Sequence, residues 1–264
     1  MRRLLRYFLL LCLYPIAGCS TGPWVKSVTA FSAGAAPSLD RISSAYTTTN
    51  DVHTLEEQAQ LVTNYETKGY KPGYIVPFMS PEELKTRDAA ISSLREYSSL
   101  VNELATGKPS PAKSTMTTPA VTAQAKTAAK TTAHTLTTQQ LNLAFTALDA
   151  AVKPYINHKV RRDLTPMLKA ADPSVQTICS LLSADFHTLR QQTTGDYRVL
   201  LIEQSQFIKV NHDKFGPVEK RNEILKLTQI EVDAKKADSD LAAAQEAIQQ
   251  LAETHHRLAT GDKK

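Results

Sequence analysis

Apolar side chains recur at steps of three and four residues along most of this 264-residue chain, and that pattern constrains its fold more than any other feature. A period near 3.6 lays apolar groups along one side of a helix, whereas a half-buried strand alternates every two residues. The clearest run is Leu241, Ala244, Ile248, Leu251, His255 and Leu258, which keeps a strict a/d spacing. A second stripe, Leu39, Ile42, Tyr46, Val52, Leu55, Ala59 and Val62, follows Pro37 and Ser38, which read as a helix start. Only nine glycines and 6% aromatic residues stand against abundant Ala, Leu, Thr, Gln and Lys. Unbranched side chains lose little freedom in a helix, so composition and period agree. The expected fold is all-α: an elongated antiparallel bundle of about five helices.

Helix boundaries follow from capping chemistry. Ser80-Pro81-Glu82-Glu83 offers a capping hydroxyl, a proline suited to the first helical position and the acid of a capping box. Leu84, Ile91, Leu94, Val101 and Leu104 then form a buried face, and Gly107 ends the helix. Residues 37–107 thus read as a helical hairpin joined by a connector at 69–79. Residues 108–135 are rich in Pro, Ser, Thr, Ala and Lys and read as a low-complexity linker, having too little apolar surface to offset ordering entropy. Residues 136–260 read as a long-helix bundle packed with the hairpin.

Within that bundle a third helix is expected over 138–171, kinked or interrupted at Pro154 and Pro166. A fourth is expected to start at Asp172-Pro173, run through Ile178, Leu182, Phe186 and Leu189 to Ile202, Phe207 and Val210, and loosen at Gly195. Phe215-Gly216-Pro217 is a turn, and a fifth helix follows over 217–259.

The first nineteen residues carry a different message. Arg2, Arg3 and Arg6 precede an apolar run at 7–14, and Pro15 precedes small residues. That is the order of parts in a signal peptide, here residues 1–18. The run falls well short of the roughly 20 apolar residues a spanning helix needs. Ile16-Ala17-Gly18-Cys19 resembles the lipobox of bacterial lipoproteins. The resemblance covers the leader alone. It implies cleavage between Gly18 and Cys19 and acylation of the Cys19 thiol by palmitate-class chains, with the protein anchored to a membrane. Ser20 stands where an aspartate would resemble an inner-membrane retention signal, which implies the outer membrane, facing the periplasm. The inner membrane and the cell surface are the other placements. Residues 19–36 are read as a lipid-anchored tether, with Trp24 and Phe31 resting either in the lipid interface or on the bundle.

Little in the remainder points to chemistry. Removing the leader takes three of the 31 basic residues, leaving 28 against 26 acids, so no nucleic-acid partner is expected. Cys179, flanked by apolar residues, reads as packed core. The seven histidines show no ligand spacing, and His255 lies on the apolar stripe while His256 does not, so no metal or cofactor is assigned. No nucleophile elbow or phosphate-binding loop is present, so no catalytic residue is assigned and an enzyme is not expected. Tyr70, Tyr74 and Phe78 gather in the connector, either as a partner-binding loop or as a cover for the bundle end. The expected function is a membrane-anchored envelope lipoprotein with a non-enzymatic interaction or spacer domain that binds another envelope protein. A bundle holding a metal, haem or small apolar ligand is the first alternative, and an envelope enzyme the second.

Overall fold

A computed structural model describes residues 22–69, 73, 75–107, 133–156 and 164–261. These residues form five helices and no strand: α1 (Pro23–Lys68), α2 (Pro81–Thr106), α3 (Ala133–Ile156), α4 (Leu164–Asn211) and α5 (Pro217–Thr260). Gly18, Cys19 and residues 108–132 lie outside them. The protein is an all-α bundle. At about 1.5 Å per residue, the 48 residues of α4 span about 72 Å.

Cross-helix bonds set the directions. Ser32 Oγ donates to Ser98 O (2.8 Å) and Asn50 clasps Met79, so α1 and α2 are antiparallel. Gln176 reaches Ala252 O (2.8 Å) and Arg190 reaches Asp238 (2.8 Å), so α4 and α5 are antiparallel. Tyr46 meets Asp185, Thr49 meets Thr193 and His53 meets Asp196, so α1 and α4 lie side by side and run the same way. Helix α3 packs on α2 and α4. One end of the bundle, here called proximal, therefore holds the start of α1, the end of α2, the start of α4 and the end of α5. Buried side chains of all five helices form a single core.

Local chemistry explains several boundaries. Ser80 Oγ accepts from the Glu83 N–H (3.3 Å) while the Ser80 N–H donates to Glu83 Oε2 (2.9 Å), the reciprocal box its sequence predicts. Gly107 closes α2 at φ 69°, a left-handed conformation that favours glycine. The α5 stripe is buried from Leu241 through Leu258.

Three expectations are corrected. Helix α1 starts at Pro23, with Gly22 before it, and not at Pro37. Val25, Val28, Phe31 and Ala35 are buried, so residues 23–36 are packed helix and not a tether. Phe31 sits edge-on to His255 (5.7 Å) and Trp24 is half-buried against the core. Pro37 is tolerated because its ring faces solvent, and burial on both sides outweighs the roughly 3 kcal/mol of an internal proline. The third correction concerns Asp172-Pro173, which starts no helix. Pro173 lies exposed inside α4, whose first turn instead contains Pro166, where a missing N–H leaves no bond unmade. The helix expected over 138–171 is thus divided between α3 and α4, and α4 passes through Gly195 without a break.

Candidate functional site

The core does not run the length of the bundle. No described residue in 57–65 or 197–236 is buried. These stretches of α1, α4 and α5, with the turn between α4 and α5, make up a distal sector. Ile202, Phe207, Val210, Val218, Ile224, Leu225 and Val232 are all exposed there, as are Val62 and Tyr65 of α1, together nine of the twelve exposed large apolar residues described. Val210 and Val218 are each 71% exposed. Phe207 against Phe215 (5.6 Å) and Gln204 on Glu223 (2.8 Å) tie the tip together. Two or three helices cannot enclose an apolar stripe that five enclose lower down.

A polar junction marks where the core stops. His53 and Glu56, one turn apart on α1, face Asp196 on α4. Their donor atoms lie within 4.8 Å of one another, and Glu56 and Asp196 are each 4% exposed. His53 Nδ1 is 3.3 Å from Asp196 Oδ2, and its Nε2 is 3.9 Å from Glu57. Gln192 donates to Asp196 Oδ1 (2.6 Å), and Gln60 donates to Glu56. Burial pushes Glu56 up from the usual carboxylate range against the Gln60 bond, and pushes Asp196 up against the His53 charge. Glu203, two turns beyond Asp196, is raised by burial and by the charge of Glu56. Phe78 closes this site from the connector, its ring edge-on to His53 at 5.8 Å.

Two further polar layers cross the core. In the middle, Arg87 is fully buried and grips Asp185 through Nε (2.7 Å) and Nη2 (3.1 Å). Tyr46 donates to the same carboxylate (3.2 Å) and lies under the guanidinium at 5.7 Å. Nearer the proximal end, His255 Nδ1 meets Asp172 Oδ1 (2.9 Å) and His256 Nδ1 meets Asp172 Oδ2 (2.7 Å). Tyr97 Oη lies 2.7 Å from His255 Nε2. A neutral His255 that donates from Nδ1 and accepts at Nε2 satisfies both bonds. Burial holds His255 below its usual value. For Asp172, burial raises the carboxyl but hydrogen bonds from His256, His255 and Gln176 outweigh it and bring it below the usual range. The two histidines thus converge on one carboxylate across the helix pair, although only one of them lies on the stripe.

At the same end an open groove of about 660 Å³ separates α1 from α5, lined by Trp24, Phe31, Gly34, Leu251, Arg257 and Leu258. No helix among the described residues is long and apolar enough to cross a membrane.

Of the residues singled out from sequence, Gly18, Cys19, Tyr70 and Tyr74 lie outside the described residues, and Phe78 is half-buried at the junction. Met79, next to it, is clasped by Asn50, which accepts from its N–H (2.9 Å) and donates to its carbonyl (3.3 Å). This part of the connector therefore covers the bundle. Cys179 is buried, and burial pushes its thiol up to about 12, which suits packing and not nucleophilic attack. The junction triad was missed. Its signal is faint: His53-x-x-Glu56 is one helical turn, but Asp196 lies far away in sequence.

Fold and site together define a class: an all-helical bundle with polar layers in its core, a junction where an imidazole and two carboxylates converge, and a distal end without a core. Comparison with family models, characterised proteins and solved structures finds no match to this chain.

Proposed function

We propose that this protein is a lipid-anchored strut of the bacterial cell envelope, held to a membrane through Cys19, whose distal sector binds another envelope protein. The observation that carries the reading is the row of exposed apolar side chains at the end of the bundle opposite the start of α1. Cys19 precedes Gly22 by three residues, so an acyl group there tethers the proximal end closely. Two or three buried acyl chains hold firmly, at about 0.8 kcal/mol per methylene. Helix α1, 46 residues long, then carries the distal sector about 69 Å from the anchor. The fitting partner presents an amphipathic helix that completes the apolar stripe of α4 and α5. The leader resemblance supports an outer-membrane position facing the periplasm. The role is mechanical and adhesive, with no reaction catalysed.

Two measurements test the halves separately. Cys19→Ala is expected to abolish membrane fractionation and to leave an amino terminus without acyl mass. An unmodified mature terminus in the native protein overturns the anchor. Photo-crosslinkers at Val210 or Val218 are expected to capture one envelope protein in living cells, while Leu143, 72% exposed on the bundle side, captures none. Equal capture at all three positions overturns the docking role.

A further inference from the structure

We propose that His53, Glu56 and Asp196 bind one divalent transition-metal ion of the zinc class, which clamps α1 to α4 at the base of the distal sector. Three observations converge on it. The first is the donor set: one imidazole and two carboxylates from two helices bring their ligand atoms within 4.8 Å of one another. Ligands around zinc, at about 2.0–2.2 Å from the ion, sit about 3.3 Å apart, so small side-chain rotations close the shell. Water completes four-coordination at the Nδ1 side, and Glu57, 3.9 Å from the far ring nitrogen Nε2, is placed to steady the imidazole.

The second observation is burial without compensation. Glu56 and Asp196 are almost wholly buried, and among the described residues the only basic side chain paired with either is His53. Buried carboxylates need partners or an ion, because desolvation costs several kcal/mol per charge. The third is Glu203, whose Oε2 is buried with no hydrogen-bond partner and which lies within the field of Glu56. Acidic side chains thus gather around Glu56, with one imidazole among them. Elsewhere in the core carboxylates are answered: Asp185 has a guanidinium, and Asp172 has two histidines.

The surroundings suit an ion as well. Gln60 and Gln192 hold one oxygen each of Glu56 and Asp196 and so orient the carboxylates. One nitrogen with two carboxylate oxygens favours zinc and its first-row neighbours over magnesium or calcium, which prefer all-oxygen shells. Phe78 shields the imidazole on the connector side. Because the core ends at this level, an ion here stiffens the base from which the distal helices project.

The purified full chain, stripped with chelator and then freed of it, is titrated with zinc chloride alone. One equivalent is expected to bind, with a rise in Tm and slower amide exchange in 50–62 and 190–210. Glu56→Gln and Asp196→Asn are each expected to weaken binding by at least about 100-fold. Both substitutions keep size and hydrogen-bonding capacity, and circular dichroism checks that the helices persist. Should one variant not fold, the other carries the test. Absence of binding overturns the proposal, as does binding that survives both substitutions, which places the ion elsewhere, for example at His255 and His256. An equal response to magnesium overturns the transition-metal assignment. The anchor and the docking surface play no part in this titration, so its failure leaves the strut reading standing.

Discussion

The two ends of α4 carry the same kind of side chain and meet opposite fates. In the proximal part Leu168, Val175, Leu182, Phe186 and Leu189 are at most 1% exposed. In the distal part Ile202, Phe207 and Val210 are between 48% and 71% exposed. Helix α5 divides the same way, with Leu241 and Ile248 buried and Val218, Ile224, Leu225 and Val232 exposed. The difference lies in the neighbours. Helix α2 begins at Pro81, beside the Asn50–Met79 clasp, and does not extend beyond it. Past that level, among the described residues, the stripes of α4 and α5 have only each other and the last turns of α1 for neighbours. An amphipathic pattern specifies a surface that seeks burial; the number of helices at that level decides whether burial happens.

That contrast can be broken or sharpened by substitution. The largest effect is expected in the central polar layer. Arg87→Ala leaves the buried Asp185 carboxyl without its bidentate partner, which costs about 3–5 kcal/mol in urea unfolding. Next comes a matched pair on α4. Leu182→Ala is expected to lose about 2–5 kcal/mol, whereas Ile202→Ala, at 54% exposure, loses less than about 1 kcal/mol. Equal losses at the two positions would mean that the distal sector has a core after all. Ile202→Ala is expected instead to lower capture of the partner.

The smallest effect is a slope with pH. His255 is buried and neutral, facing Tyr97 from α2, Asp172 from α4 and its neighbour His256. Its folded-state value is depressed, so below about pH 6.5 the unfolded chain takes up a proton that the folded one refuses. Stability is therefore lost as pH falls through that range, and His255→Gln flattens the slope of Tm against pH between about 7 and 5. Asp172, held below the ordinary carboxylate value, contributes stability that persists through this window and disappears only under stronger acid.

Much of the bundle was legible beforehand, and the reasons are local. The Ser80–Glu83 box, the Gly107 stop and the α5 stripe all rest on interactions within a few residues. Pro37 and Pro173 misled because a proline marks a helix start only where no neighbouring packing holds the turn before it; here tertiary burial on both flanks does. Arg87 was hidden in plain sight, in the gap of the stripe between Leu84 and Ile91. A charge on an apolar face signals a buried partner, but only contact with α4 names Asp185. The same holds for Asp196, which sits on α4 beyond Leu189 and acquires meaning from His53 and Glu56 on α1.

By itself the sequence determined the helical class, most caps and the identity of the a/d stripe, because period and capping are short-range properties. Tertiary structure alone decided which stripe positions are buried, that α1 and α4 run in the same direction, and that an imidazole and two carboxylates from distant segments meet where the core ends. Those outcomes depend on how many helices share a level and in what register, and no local spacing encodes that.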